Sequence, residues 1–227
     1  MRLIKDIKSL NIFEIILLLI SNIIIFGTYF FLPESNIIST IASMIGVTSL
    51  VFLAKGLILG QILCIIFSVF YGFISLSMQY YGEMMTYVFM TLPMSVFSLI
   101  SWLKHPYKDT NEVQISTLNI KKIIIIACSS IIITIIFYFI LKTLNTSSLI
   151  ISTISITTSF IAISLTFFRS PYYALAYASN DIVLIVLWII ATFKDISNIT
   201  MVICFLIFLI NDIYGFINWK KMEKNQV

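Results

Sequence analysis

The amino-acid sequence predicts an all-α integral membrane protein with eight transmembrane helices: a leading helix, then two parallel three-helix bundles joined by a linker helix. Three observations predict it, namely the composition, the spacing of apolar runs and the placement of basic residues. Of 227 residues, 60% are hydrophobic and only 11% charged, and mean hydropathy is +1.07. A soluble domain carries about 25% charged residues, and a globule with fewer than half that share could not cover its surface. A soluble enzyme, a disordered chain and a nucleic-acid partner are excluded on this ground, despite the net charge of +4.

Taken in order, the apolar runs are each close to the ~20 residues a spanning helix needs. Span one, 11–32, is too long for a signal peptide. It is followed by Pro33-Glu34-Ser35-Asn36, not by a small-residue cleavage site. Spans two to four, 37–54, 57–79 and 84–103, form the first bundle; Pro93 is expected to bend span four and free a carbonyl. Residues 104–119 are the longest polar stretch, a cytoplasmic loop, and span five, 120–141, is the linker. Span six, 147–168, opens on a Ser/Thr-rich run, Thr146–Ser159, whose hydroxyls can bond back to their own helix and still cross lipid. Spans seven and eight cover 171–193 and 198–219. The domain division is one membrane domain, 1–227. It comprises a leading helix (1–36), a first bundle (37–103), a loop and linker (104–146), and a second bundle with its tail (147–227).

The basic residues test this count. With the N-terminus inside, Arg2, Lys5, Lys8, Lys55, Lys104, Lys108, Lys121, Lys122, Arg169, Lys220, Lys221 and Lys224 are all inside. Only Lys142 and Lys194 are outside. So strong a positive-inside bias places both termini in the cytoplasm and accounts for the basic charge as orientation and contact with anionic lipid.

An internal repeat accompanies the spans. Ile100-Ser101-Trp102-Leu103-Lys104 matches Ile217-Asn218-Trp219-Lys220-Lys221 at an offset of 117, at which Phe97 also meets Tyr214 and Tyr71 meets Trp188. Spans two to four then recur as six to eight, with span five restoring direction. Trp102 and Trp219 also fit interfacial anchors. Gly56-xxx-Gly60 and Ala174-xxx-Ala178 read as close-packing seams.

Carboxylates at bilayer depth cost at least about 2.5 kcal/mol each and need a reason. Asp181 and Asp212 are two such groups, each preceded by Asn180 or Asn211. At 1.5 Å per residue Asp181 sits roughly 15 Å, and Asp212 roughly 10 Å, from the inner boundary. Gln61 is roughly 6 Å up span three. Asp181 and Trp188 share a face at i, i+7, and Asn211, Tyr214 and Asn218 share another at i, i+3, i+7. Amides and rings on one face suit a pocket wall. The competing reading is structural hydrogen bonding between helices. Cys64, Cys128 and Cys204 form no CxxC pair, and His105 is the only histidine, so neither a disulfide nor a metal site is expected. No GxxxxGK[ST], GxGxxG or HExxH occurs, so no cofactor and no enzyme activity are expected.

The string Asn211-Asp212-Ile213-Tyr214-Gly215-Phe216-Ile217-Asn218-Trp219 resembles the signature closing PnuC-type vitamin transporters. Asn180-Asp181-Ile182-Val183 and Trp188 fit the same pattern, with Gln61, Tyr71-Gly72, Tyr81-Gly82-Glu83 and Trp102 in the first half. The resemblance covers most of the chain after about residue 40. It implies a SWEET-like fold in a bacterial inner membrane. It also implies facilitated diffusion of nicotinamide riboside, a form of vitamin B3, with trapping by a cytosolic kinase. Thiamine or riboflavin are the substrates of other relatives. The expected partners are the small-molecule vitamin, the lipid bilayer and further copies of the chain, a trimer among the options. The candidate substrate-binding residues are Gln61, Tyr71, Asn180, Asp181, Trp188, Asn211, Asp212, Tyr214 and Asn218. The rings would stack on the pyridinium, the amides bond the carboxamide and hydroxyls, and an aspartate balance the charge, or carry a coupled proton.

Overall fold

The computed structural model describes residues 6–31, 37–77, 80–108, 110–146 and 148–226. Eight helices in it are long and apolar enough to cross a membrane. They are α1 (Ile12–Phe31), α2 (Ile37–Ala54), α3 (Ile58–Ser77), α4 (Tyr81–Lys104), α5 (Ile120–Thr143), α6 (Leu149–Phe167), α7 (Tyr173–Thr192) and α8 (Ile199–Gln226). Lipid offers no partner to a backbone amide, so each apolar run satisfies its own as helix. The ends of spans one and three expected at 32 and 78–79 lie outside the described residues.

Two boundaries differ from the sequence expectation by three residues or more. Helix α8 runs past 219 to Gln226, because nothing in Lys220-Lys221-Met222-Glu223-Lys224 breaks it and Lys220 pairs with Glu223 one turn on. Helix α4 starts three residues earlier than expected, at Tyr81, and its middle turn, Thr86–Thr91, widens to a π-helix closed by Leu92 N–H donating to Tyr87 O. Pro93 follows at once. Its missing N–H and the π-turn together re-aim the side chains of this segment.

Burial sorts the helices. Two thirds of α2 is buried but only 11% of α5, so α2 is central, whereas α5 stands at the periphery with Ile124, Ile125 and Ile131 facing outward. The Gly56–Gly60 seam is real at its second glycine. A Cβ on Gly60 would meet Leu53 N at 2.5 Å and Phe52 C at 3.0 Å, both backbone atoms that cannot yield. Gly60→Ala is therefore expected to lower stability by about 1–3 kcal/mol, measured by thermal unfolding in detergent. Gly27→Ala, whose nearest neighbour is a side-chain atom at 4.0 Å, leaves it unchanged or raises it.

The contacts treat the two repeats alike. Ser101 Oγ and Trp102 Nε1 of α4 donate to Phe167 O and Thr166 O at the end of α6, both at 3.1 Å. Asn218 Nδ2 and Trp219 Nε1 of α8 donate to Ala54 O and Leu53 O at the end of α2, at 2.8 and 2.9 Å. Each bundle thus ties its last helix to the first helix of the other. Trp102 and Trp219 are fully buried with ring centroids 5.5 Å apart. This corrects their reading as interfacial anchors: their indole N–H groups find carbonyls inside the protein, so they need no headgroup layer. Across the same end runs the strap between α4 and α5, described at 105–108 and 110–119. Val113 N–H donates to Gly56 O at 2.9 Å and Ser116 N–H to Arg169 O at 3.0 Å, one bond to the corresponding turn of each repeat.

Candidate functional site

Helical spacing brings polar groups to one place between the bundles. Tyr177, Asn180 and Asp181 lie at i, i+3 and i+4 on α7, and Phe208 and Asp212 at i, i+4 on α8. With Ser49, Leu50 and Leu53 of α2, Cys64 and Phe67 of α3, Tyr87 and Thr91 of the α4 π-turn, and Ser159 of α6, they line one cavity. Six helices build it, and α1 and α5 contribute nothing to its lining. The space open to the centre of a water molecule is about 40 Å³. A single water needs about 10–15 Å³, so a few waters fit and a nucleoside enters only when the bundles move apart.

The chemistry of the cavity is acidic and aromatic. Asp181 and Asp212 both line the cavity and interact with each other, and both residues are about 97% buried. At the repeat offset of 117 their counterparts are Cys64 and Ser95, whose Sγ and Oγ also meet, at 3.6 Å. The same contact recurs in both repeats, but only the second supplies charge. Asn180 Oδ1 accepts from Thr158 Oγ1 at 2.7 Å and Ser159 Oγ at 3.0 Å, with Ser155 Oγ 3.5 Å away. Those donors fix the amide orientation and leave Nδ2 as the group Asn180 can offer a ligand. No lysine or arginine lines the cavity among the described residues.

Of the nine sequence candidates, Asn180, Asp181 and Asp212 line the cavity. Tyr71 and Trp188 form the layer next to it. Trp188 Nε1 donates to Tyr71 OH at 3.0 Å, and Tyr71 packs on the lining residues Phe67 and Tyr87 with centroids 5.4 and 4.3 Å apart. Gln61 is buried one turn from Cys64, with neither amide atom partnered among the described residues. The face carrying Asn211, Tyr214 and Asn218 is placed differently from the pocket wall the spacing suggested. Asn211 Nδ2 donates to Ile207 O and to Ser21 Oγ of α1, and Tyr214 OH to Glu14 Oε1 of α1. Asn218 binds the end of α2. The three do share a face, and that face meets α1 and α2.

Sequence reasoning missed Tyr177, Tyr87, Ser49, Thr91 and the α6 hydroxyls. Tyr177 was findable one turn before Asp181; the hydroxyls were not, because serine and threonine in helices usually bond their own carbonyls. Glu83 lies in the first turn of α4. It is 1% exposed, with Oε1 accepting from Ser155 Oγ at 3.2 Å and Oε2 unpartnered among the described residues. Ser155 thus stands between Glu83 and Asn180.

Residues 36–221 match a family model described as nicotinamide mononucleotide transporter. Over 201 residues, 86% of this chain and 76% of the other, the sequence is 26% identical to the nicotinamide riboside transporter PnuC of Neisseria mucosa. A crystal structure of the vitamin B3 transporter PnuC superposes with a TM-score of 0.84 at 25% identity, covering 96% of this chain and 95% of that one.

Proposed function

Because this chain belongs to the nicotinamide mononucleotide transporter family, we propose that it carries vitamin B3 across the membrane as nicotinamide riboside, by facilitated diffusion with trapping by cytosolic phosphorylation. One observation carries the choice of substrate: the cavity pairs two aspartates, Asp181 and Asp212, with aromatic rings and offers no cation. Nicotinamide riboside is a cationic ring with hydroxyls and a carboxamide. The carboxylates balance its charge, the rings of Tyr87, Tyr177 and Phe67 face its π-system, worth about 0.5–2 kcal/mol as cation–π attraction, and Asn180 bonds its polar edge. The mononucleotide adds a phosphate, which would meet two carboxylates and no counter-ion. The riboside is therefore preferred to the phosphorylated form.

Two layers separate this cavity from the ends of the bundle. Tyr71 and Trp188 stand on one side, and Trp102, Trp219 and Tyr173 on the other, with the Tyr173–Trp219 centroids 4.7 Å apart. Both pairs, Tyr71–Trp188 and Trp102–Trp219, consist of repeat-related positions. Rocking α2–α4 against α6–α8 would open either pair while the other stays shut. The reading places both termini in the cytoplasm and expects a homo-oligomer.

The test is uptake by the purified chain in liposomes. Nicotinamide riboside is expected to equilibrate down its gradient, at least tenfold faster than nicotinamide mononucleotide, and unaffected by collapse of the pH gradient. Equal rates for the two would remove the substrate assignment. A second reading, proton coupling, is favoured by the Asp181–Asp212 contact. It would require uptake to fall when the pH gradient is dissipated. Thiamine is also a cationic aromatic, so binding of riboside, thiamine and riboflavin is measured in parallel.

A further inference from the structure

A second cavity lies on the outer surface, between α5 and the α6–α7 turn. It is a groove of about 400 Å³ walled by Ile123, Ile126, Ile131, Ile161, Leu165 and Tyr172. Two lysines stand beside rings of the α6–α7 turn at one end of the groove; Lys122 Nζ also donates to Ser116 Oγ at 2.8 Å and Thr117 O at 3.3 Å. Lys122 Nζ sits 5.6 Å from the Phe168 ring centre, and Lys220 Nζ, which also pairs with Glu223, 4.9 Å from that of Tyr172. Between Phe168 and Tyr172 in sequence is Arg169, whose Nε and Nη1 are buried without a partner among the described residues.

Arg169 is also in a backbone conformation that glycine serves better. Its φ is +57°, and the matching turn of the other repeat has Gly56 at φ +69°. The two turns share their hydrogen bonds: Gly56 N–H to Leu53 O at 2.8 Å, Arg169 N–H to Thr166 O at 3.0 Å, and one strap N–H to each carbonyl. The fold is satisfied by glycine at this position. An arginine held there at a backbone cost, with unpartnered N–H groups, points to a ligand.

We infer that this groove seats an anionic phospholipid, an acyl chain against its apolar wall and the phosphate on Arg169 with Lys122 and Lys220. Basic groups at one end of a gap between membrane helices suit such headgroups, and a guanidinium presents paired N–H donors to phosphate oxygens. A free phosphate would use the cations and leave the apolar wall without a role.

The test uses the full chain in neutral detergent, thermally unfolded and weighed by native mass spectrometry with cardiolipin, phosphatidylglycerol, phosphatidylcholine or inorganic phosphate. Cardiolipin and phosphatidylglycerol are expected to raise Tm and stay bound, whereas phosphatidylcholine and phosphate do neither. Arg169→Gly is expected to weaken anionic-lipid binding by about five- to tenfold, yet to raise Tm in detergent alone, since glycine relieves the left-handed turn. Arg169→Gln gives the same loss of binding without that gain. The inference is overturned if phosphatidylcholine or phosphate stabilises equally, or if both Arg169 variants retain the full anionic-lipid shift. A disulfide between copies at Ala127→Cys would also overturn it, by placing a second chain over the groove.

Discussion

Asp181→Asn and Asp212→Asn are each expected to weaken nicotinamide riboside binding by about a hundredfold, because each breaks up the carboxyl pair that shares a negative charge opposite the cation in a desolvated site. The amide keeps the size and most of the hydrogen bonding of the carboxyl, so the loss reports charge. Stability is expected to move the other way. Two carboxyl groups in contact resist burial, and replacing one with an amide turns that contact into an ordinary hydrogen bond. The variants should therefore unfold at the same or a higher temperature while losing ligand, as happens where a site is built at the expense of the fold. Calorimetric titration with the riboside, beside a thermal melt, reads both. Unchanged affinity in both variants would mean the carboxylates do not face the cation. Lost affinity with lost stability would mean they act as structural hydrogen bonds. Asn180→Ala gives a smaller loss, about tenfold, because it removes one neutral donor and takes away the Ser159 hydroxyl's acceptor, while Thr158 can turn to the Ile154 and Ser155 carbonyls.

Asp181 and Asp212 were legible in the sequence because a carboxylate deep in an apolar run is costly enough to need a purpose, and the rise per residue gave their depth. The eight spans were legible for the same energetic reason. What periodicity could not supply was the neighbour. Asn211, Tyr214 and Asn218 do share one side of α8, but the 3.6-residue period is silent on whether that side meets a cavity or another helix. The structure turns it to α1 and α2. The tryptophans misled for a related reason. An indole near a helix end fits a headgroup layer and a buried carbonyl equally well, and only the partner helix decides. Widening at Thr86–Thr91 had a sequence trace in Pro93, which predicts a disturbance without its form.

Lys55→Met is expected to destabilise the protein by about 3 kcal/mol, the usual consequence of leaving one partner of a buried ion pair alone. Glu14 is 1% exposed, and its Oε2 accepts from Lys55 Nζ at 2.8 Å and from Asn11 N–H at 2.7 Å, while Oε1 accepts from Tyr214 OH at 3.0 Å. Lys55 also donates to Ser9 O. One carboxylate thus joins the leading helix α1 to the α2–α3 turn and to α8. Removing Lys55 also takes away the cation that draws the nearby Glu112 carboxyl back from the upward push that burial gives it. Glu14→Gln keeps a hydrogen-bond acceptor for Tyr214 but strands Lys55, which is 14% exposed and can turn toward water, so its effect should be smaller. The double variant Glu14→Gln/Lys55→Met leaves no unpaired charge and should recover much of the lost stability. That non-additivity, read from four thermal melts, isolates the pair from the packing around it. The family match begins at residue 36, downstream of Glu14. If α1 were a passive addition to a core complete without it, both single substitutions would stay within about 0.5 kcal/mol of the parent.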